Sequence, residues 1–362
     1  MRKRLSDEIA IKLGLKLITS DKVGNPKYYL NKKKLEEYNK IANLEKLSIK
    51  GKSTLSDKDG NLVMEWVKTE VSEKDKIENL RLAIKALNDD IIPCQATPKP
   101  ETETYENLIN QYTLTDYHLG MMAWAEETGA DWDIKIAEKT LINYFKYAIE
   151  SSPKAESCIF AQLGDFLHWD GMDAVTPQNR HLLDADTRFT KLVRVAIRVI
   201  RQVISMLLEK YPTVQVIMAE GNHDMASSIW LRETLSIFYE NEPRITIDTN
   251  PSPYYCITWG DCCLFYHHGH KKNAESLDSV LVGKFKSEFG KSKFVYAHTG
   301  HLHNTKMIET NLMIVEQHRT LATKDAYASR GGWSSGRDSK VITYHKQFGE
   351  VDRRTINIDA IS

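Results

Sequence analysis

Gly221-Asn222-His223-Asp224 stands directly after the apolar run Val214-Gln215-Val216-Ile217-Met218-Ala219, and the reading of that junction decides the fold. The run has the length and β-branched content of a buried strand, and the Gly-Asn pair is a turn signal at its end. The same kind of junction recurs four times. Tyr112-Thr113-Leu114-Thr115 runs into Asp116-Tyr117-His118, and Cys158-Ile159-Phe160-Ala161-Gln162-Leu163 into Gly164-Asp165. Cys262-Cys263-Leu264-Phe265-Tyr266 runs into His267-His268-Gly269-His270, and Phe294-Val295-Tyr296-Ala297 into His298-Thr299-Gly300-His301-Leu302-His303. Apolar strands that end in Asp, Asn or His place the chemistry at the carboxyl edge of one or two sheets, where open α/β folds build their sites.

These residue types suit a pair of divalent cations, which can clamp a phosphoryl oxygen and supply a nucleophile at neutral pH. Such a pair needs a carboxylate able to bridge, with neutral imidazoles and an amide oxygen to fill the coordination without overcharging it. Each piece alone has a blander reading. A single His-x-His or Asp-x-His is a common chance pairing on a loop, and Gly164-Asp165 alone reads as a tight turn with a capping Asp. The five pieces together, in order and each at a strand end, point to one site.

The order Asp-x-His, Gly-Asp, Gly-Asn-His-Asp, His, Gly-His-x-His resembles the calcineurin-like metallophosphoesterase superfamily over roughly residues 110–355. The resemblance implies an α/β fold, a two-sheet β-sandwich flanked by helices, and two bound divalent cations, with Mn²⁺ ahead of Zn²⁺, Fe²⁺ or Mg²⁺. It implies Asp116, His118 and His303 around the first cation, Asn222, His268 and His301 around the second, and Asp165 bridging. His268 precedes Gly269 at the strand end, where the family's ligand falls. His267 should face the other way by the period of two, and His270 is the alternative ligand or a substrate contact. His223 matches the family's general acid, with Asp224 expected to orient it as a carboxylate–imidazole pair. His168 is either a site contact or a packed histidine. The chain is similar to the DNA-repair nuclease branch, because Asp224 rather than Glu follows Gly-Asn-His and no Val-Asp-Arg-Gly continues Gly164-Asp165. A phosphodiesterase acting on nucleic acid, DNA first, is the expectation. A small-molecule phosphodiesterase or phosphatase acting on nucleotides is the alternative, and a nucleic-acid-binding protein with a vestigial metal site is a third reading.

Between the strands, Asp131–Glu150, Asp186–Lys210 and Met225–Tyr239 carry apolar residues at helical spacing. Strands follow at Met313–Glu316, Lys340–Tyr344 and Arg354–Ile358; these should finish the second sheet, with no appended capping domain. Two long polar stretches look like substrate elements. One runs from His168 to Arg188. The other, Arg319–Arg337, holds Arg330, Trp333 and Arg337 among glycines, and guanidinium and indole suit a phosphate and a base; its plainer reading is a surface turn.

Ahead of this 107–362 catalytic domain, residues 1–92 form a small α+β module and residues 93–106, with three prolines, an extended linker. The net charge of zero hides an asymmetry: residues 1–60 hold 15 Lys and Arg against 8 Asp and Glu. Helix candidates at Asp7–Leu13 and Lys32–Ile41, joined through Gly24-Asn25-Pro26, could form a basic helix-turn-helix for a nucleic-acid backbone. The alternative is a solvated pair used for docking or for forming a homo-oligomer. A hairpin around Asp57-Lys58-Asp59-Gly60 and a helix at Glu73–Leu87 complete the module. Gly51-Lys52-Ser53-Thr54 is rejected as a phosphate loop because position 46 is Lys rather than Gly. Five cysteines without CxxC spacing, no apolar run of membrane length and no signal-peptide pattern lead to the expectation of a cytoplasmic protein without membrane contact.

Overall fold

A computed structural model describes residues 94–361 except 102 and 178, together with the backbone of five strands nearer the N-terminus. The chain divides into two compact units, Met1–Asp90 and Ile91–Ser362. In the first, β1 (Arg2–Lys3), β2 (Leu17–Ser20) and β3 (Pro26–Tyr29) make a sheet in the order β1-β3-β2. β2 and β3 pair antiparallel, and Pro26 opens β3, as the β-branched and aromatic residues of the two strands favour. The three helix candidates of this unit lie outside the described residues. β4 (Leu47–Ser56) and β5 (Leu62–Val71) pair as the expected hairpin, and Gly51-Lys52-Ser53-Thr54 falls inside a strand.

The second unit is a four-layer sandwich. Its first sheet contains β6 (Tyr105–Leu114), β7 (Ala155–Gln162), β8 (Thr213–Met218), β9 (Ile245–Ile247), β15 (Asp338–His345) and β16 (Gly349–Asn357), in the order β16-β15-β6-β7-β8-β9. The second contains β10 (Tyr255–Trp259), β11 (Cys262–Tyr266), β12 (Phe294–Thr299), β13 (Lys306–Glu309) and β14 (Ile314–Gln317), in the order β10-β11-β12-β14-β13. The strand period of two sorts the side chains. Ile159, Ala161, Ile217, Leu264, Tyr266, Ile342 and Tyr344 fill the space between the sheets. Phe160, Val214, Val216 and Met218 turn outward onto the helices α2 (Ile134–Ser151), α3 (Phe189–Lys210) and α4 (Met225–Phe238). Cys263, Phe265, Ala297 and Val315 turn the other way onto α5 (Leu277–Lys284). Each fully buried Leu, Ile, Val or Phe contributes roughly 1.5–3 kcal/mol. The helices α1 (Ala125–Thr128), α6 (Lys286–Lys291) and α7 (Ala326–Arg330) are short.

Two expectations need correction. β15 and β16 do not finish the second sheet; β15 pairs antiparallel with β6 and extends the first. Their polar side chains explain the choice. Lys340 of β15 and Arg353 of β16 both reach across the sandwich to Glu316 of β14, each at 2.7 Å, while Tyr344 meets His298 of β12 at 2.9 Å. The strands lie opposite the second sheet because those cations and that carboxylate pair between layers. Nor is 94–104 a free spacer. Thr97 donates its N–H and hydroxyl to the buried Glu242, at 2.7 and 2.6 Å, and Lys99 pairs with Glu156, so the segment is pinned before β6 begins.

Burial would raise the Glu316 carboxyl, but His318, His298, the Arg353 hydrogen bonds and the Lys340 charge together hold it well below the usual carboxylate range. A depressed folded-state pKa gives stability that is complete above the unfolded value of 4.5 and declines as pH falls below it. Glu316→Gln, which strands two cations, should cost roughly 3–5 kcal/mol at neutral pH. Denaturant melts should show the penalty narrowing towards pH 3; a pH-independent difference would disprove the clasp.

Candidate functional site

The site begins where the strands stop. After β6 the chain turns at Asp116, whose N–H donates to the Gly164 carbonyl at 3.0 Å, and the His118 N–H donates to the Asp165 carbonyl at 3.0 Å. The loops following β6 and β7 are thereby laced together beyond their strands. From the second sheet, the Gly300 N–H donates to the His268 carbonyl at 2.8 Å, and the His301 N–H donates to Asp116 Oδ2 at 2.8 Å. All five expected strand ends meet here.

The backbone at these points is strained. Among the described residues, six that are not glycine have φ in the left-handed region, and five of them are Asp116 (50°), His118 (46°), Asp165 (51°), His301 (73°) and His303 (53°). A non-glycine residue held in a sparsely populated region costs on the order of 1–3 kcal/mol and persists only where its surroundings over-determine it. Here the surroundings do so. A Cβ on Gly221 would come within 2.6 Å of the Asp165 Cγ, and one on Gly300 within 2.5 Å of Asp116 Oδ2, so these two turns must be glycine for the carboxylates to sit where they do.

The side chains converge as two groups. Donor atoms of Asp116, His118 and His303 lie within 4.8 Å of one another, and so do those of Asp165, His268 and His301. His118 Nε2 faces His303 Nε2 at 3.3 Å, and His303 Nε2 lies 3.1 Å from Asp116 Oδ1. His268 Nε2 lies 3.1 Å from Asp165 Oδ2, 3.3 Å from Asn222 Oδ1 and 3.9 Å from Asp116 Oδ1. All seven expected ligands are brought together. His267 stacks on Tyr254 with ring centroids 4.5 Å apart, on the opposite side of the strand from His268, as the period of two requires. His270 lies beside the cluster, its ring centroid 5.3 Å from that of His268.

Electrostatics tie the two groups together. Burial opposes the charge on both carboxylates, but His303 and His268 hold Asp116 well below the usual range, and His268 and His223 do the same for Asp165. In turn, against its own burial, His268 is pushed up to about 9 by Asp165 and Asp116. Burial, His223 and His168 keep His118 low, so that it offers a neutral lone pair. Carboxylates balanced by imidazole protons, with donors converging at two points, fit a pair of divalent cations that would replace those protons. Two further groups converge: His118, His168 and His223, which shares His118 with the first group, and His298, Glu316 and His318, which does not fit, because Lys340 and Arg353 already occupy its carboxylate.

Asp224 does not orient His223. Its carboxylate accepts four backbone N–H groups, those of Asp165, Phe166, Leu167 and Gly221 at 2.7–3.2 Å, and so braces the Gly164-Asp165 turn. Burial and the Asp165 charge push its carboxyl up to about 7, which those donors oppose. His223 instead uses Nδ1 on the His168 carbonyl at 2.8 Å; a carbonyl can only accept, so Nδ1 carries the hydrogen and Nε2 is left for other work. His168 is buried and also touches His118, Nδ1 to Nδ1 at 3.3 Å. Asp224→Asn puts an NH₂ among backbone donors. It should lower metal affinity and cost roughly 1.5–3 kcal/mol; a variant that binds metal normally and only turns over slowly would restore the acid-orienting role.

The expected substrate arms fare differently. Arg337 is folded in, donating to the Leu321 carbonyl at 3.0 and 2.8 Å with its guanidinium over the Trp132 ring. Arg330 pairs with Glu127 at 3.0 Å, and Trp333 is exposed and meets Tyr327. Arg188 is exposed at the N-cap of α3. None of these four has a recorded contact with the ligand cluster. The 168–188 stretch is anchored by the buried Trp169 and by Asp170, whose carboxylate accepts the Ala226 and Ser227 N–H groups at 2.6 Å and caps α4 from a distance. Asp170 went unrecognised in the sequence although it stands just past the Gly164-Asp165 turn, as did Thr320, whose hydroxyl donates to the Asp116 carbonyl at 2.6 Å and which follows no motif in the chain.

No protein-family model matches the chain, and no curated protein matches it. Solved structures do. A dimetal phosphatase from Danio rerio is 8% identical, with 69% of this chain and 99% of that one covered and a TM-score of 0.36. An archaeal phosphodiesterase is 13% identical, with coverage of 68% and 99% and a TM-score of 0.34. A phosphoesterase from E. coli is 12% identical, with coverage of 68% and 100% and a TM-score of 0.32. At such TM-scores these likenesses decide nothing about activity. Among the described residues, no helix is long and apolar enough to cross a membrane.

Proposed function

We propose that the chain is a two-metal phosphoesterase that cleaves phosphodiester bonds, with nucleic acid as its leading substrate. The observation that carries this reading is the set of five strained ligand positions, Asp116, His118, Asp165, His301 and His303, held against their backbone preference so that their donors converge. A pair of divalent cations held there would neutralise phosphoryl oxygens and supply a nucleophile at neutral pH. Asp116, His118 and His303 would hold one and Asn222, His268 and His301 the other, with Asp165 available to both. His223 presents Nε2 to the leaving oxygen, and when its ring is doubly protonated it donates that proton. The His168 carbonyl fixes the ring through Nδ1, and Asp224 keeps the Asp165 turn in register.

Metal analysis after Mn²⁺ reconstitution should return two ions per chain; one or none, with all seven side chains intact, would overturn the assignment. An activity panel of bis-p-nitrophenyl phosphate, p-nitrophenyl phosphate, cyclic nucleotides, DNA and RNA separates the substrate classes. Hydrolysis of DNA or RNA is the expected result, and turnover confined to nucleotides would replace nucleic acid with a small-molecule substrate. The basic excess of residues 1–60 supports a backbone-binding role for the N-terminal unit. Deleting residues 1–90, which leaves the Thr97 anchor in place, should weaken DNA binding and flatten its salt dependence while bis-p-nitrophenyl phosphate is still cleaved. Unchanged DNA affinity would reject that role.

A further inference from the structure

The loop after β11 carries three side chains in succession that the ligand set leaves unused: His270, Lys271 and Lys272. Both ring nitrogens of His270 are shut away from solvent and neither has a hydrogen-bond partner. Unpaired buried donors are costly and rare, and one at the wall of a cleft is a group waiting for a ligand. The cleft is there. A cavity of about 400 Å³ is lined by His270, Lys271, Lys272 and Asn273 on one side and by His301 and Gln317 on the other. Because His301 is a candidate metal ligand, the cavity opens directly off the cluster. Among the described residues, Lys271 and Lys272 are exposed without an ion pair, and of the carboxylates nearby Glu275 is taken by Lys306 while Glu220 feels both Arg232 and Lys271, so the lysines keep charge to offer an anion.

We propose that this cleft is a subsite for a second phosphate, one covalently joined to the phosphate being cleaved. The inference rests on the phosphoesterase reading and sharpens it. Two lysines act as point charges for an anion, the imidazole and the Asn273 amide add directional donors, and the cluster next door holds the scissile group. The substrates selected are those with more than one phosphate in line, either a nucleic-acid strand or a small nucleotide bearing a neighbouring phosphate.

The test compares wild type with the double variant Lys271→Ala/Lys272→Ala on bis-p-nitrophenyl phosphate, thymidylyl-thymidine with and without a 5′-phosphate, and decathymidylate. The ratio of kcat/KM on decathymidylate to that on bis-p-nitrophenyl phosphate should fall about tenfold, through KM, and the log–log salt slope should drop by roughly 0.7, one single-strand phosphate contact. A matching fall for the 5′-phosphorylated dinucleotide would show that one neighbouring phosphate suffices, and a fall on the strand alone would assign the site to polynucleotide. Equal losses on every substrate, or no change on any, would overturn the subsite. If wild type cleaves none of them, the phosphoesterase reading fails, and the subsite is then judged by binding of fluorescent decathymidylate: equal affinity in wild type and variant would overturn it.

Discussion

Asp165→Ala is expected to empty the centre, with metal content falling from two ions per chain to well below one and turnover falling with it by roughly 10³–10⁴-fold, the several kcal/mol of charge stabilisation that the ions supply. Two effects combine. The carboxylate proposed to serve both cations disappears, so cations held by the flanking groups would repel one another with less charge to offset them. The His223 N–H also loses its acceptor, Asp165 Oδ1 at 2.7 Å, which loosens the turn that aims His223 and Asn222. Asp165→Asn separates the two: it keeps an acceptor for His223 and removes the charge. If the Asn variant retains both ions, the backbone contact rather than the bridge is what matters at this position. Metal analysis with a thermal melt decides the point, and an Asp165→Ala protein that keeps two ions would end the bridging assignment.

His223→Ala should do the reverse, keeping both ions and lowering turnover by about 10²–10⁴-fold, the range for losing a general acid or a charge-stabilising donor. Its ring contacts His118 and His168, with centroids 4.8 and 5.7 Å away, but it belongs to neither of the two groups assigned to the cations. The loss should depend on the leaving group. p-Nitrophenolate departs with little need of a proton, so bis-p-nitrophenyl phosphate should be partly spared, whereas a nucleotide ester should suffer in full. Equal damage to both substrates, or loss of metal, would remove His223 from the acid role.

The positions of the site were legible in the sequence because strand ends are. Val214–Ala219 and Cys262–Tyr266 show their period directly, and residues that follow such runs must lie at a sheet edge. The choice of His268 over His267 joined the place that the resemblance assigns to the ligand, just before Gly269, to the same periodicity. Side-chain direction beyond the strand was not legible. Asp224 follows His223 in sequence, and nothing local reveals that its carboxylate turns back onto the N–H groups of residues 165–167. Sheet membership failed for a related reason: Lys340 and Arg353 read as ordinary polar strand positions until Glu316 is found facing them. The inward fold of Arg337 was not legible, because the groups that satisfy it, the Leu321 carbonyl at the other end of the same stretch and the distant Trp132 indole, leave no local signal. Left-handed conformations at aspartate and histidine leave no trace in composition at all.

Those conformations set function against durability in this chain. Asp116, His118, Asp165, His301 and His303 are the residues a selection for thermal resistance alone would discard first. Glycine at several of them relieves the torsion, and at His301 and His303, which are only partly buried, little packing is lost in the exchange. His301→Gly, which keeps the backbone N–H that donates to Asp116 Oδ2, should therefore melt higher than the metal-free parent while binding metal worse. Lineages that give up the chemistry should drift towards glycine at these turns and grow sturdier as they do.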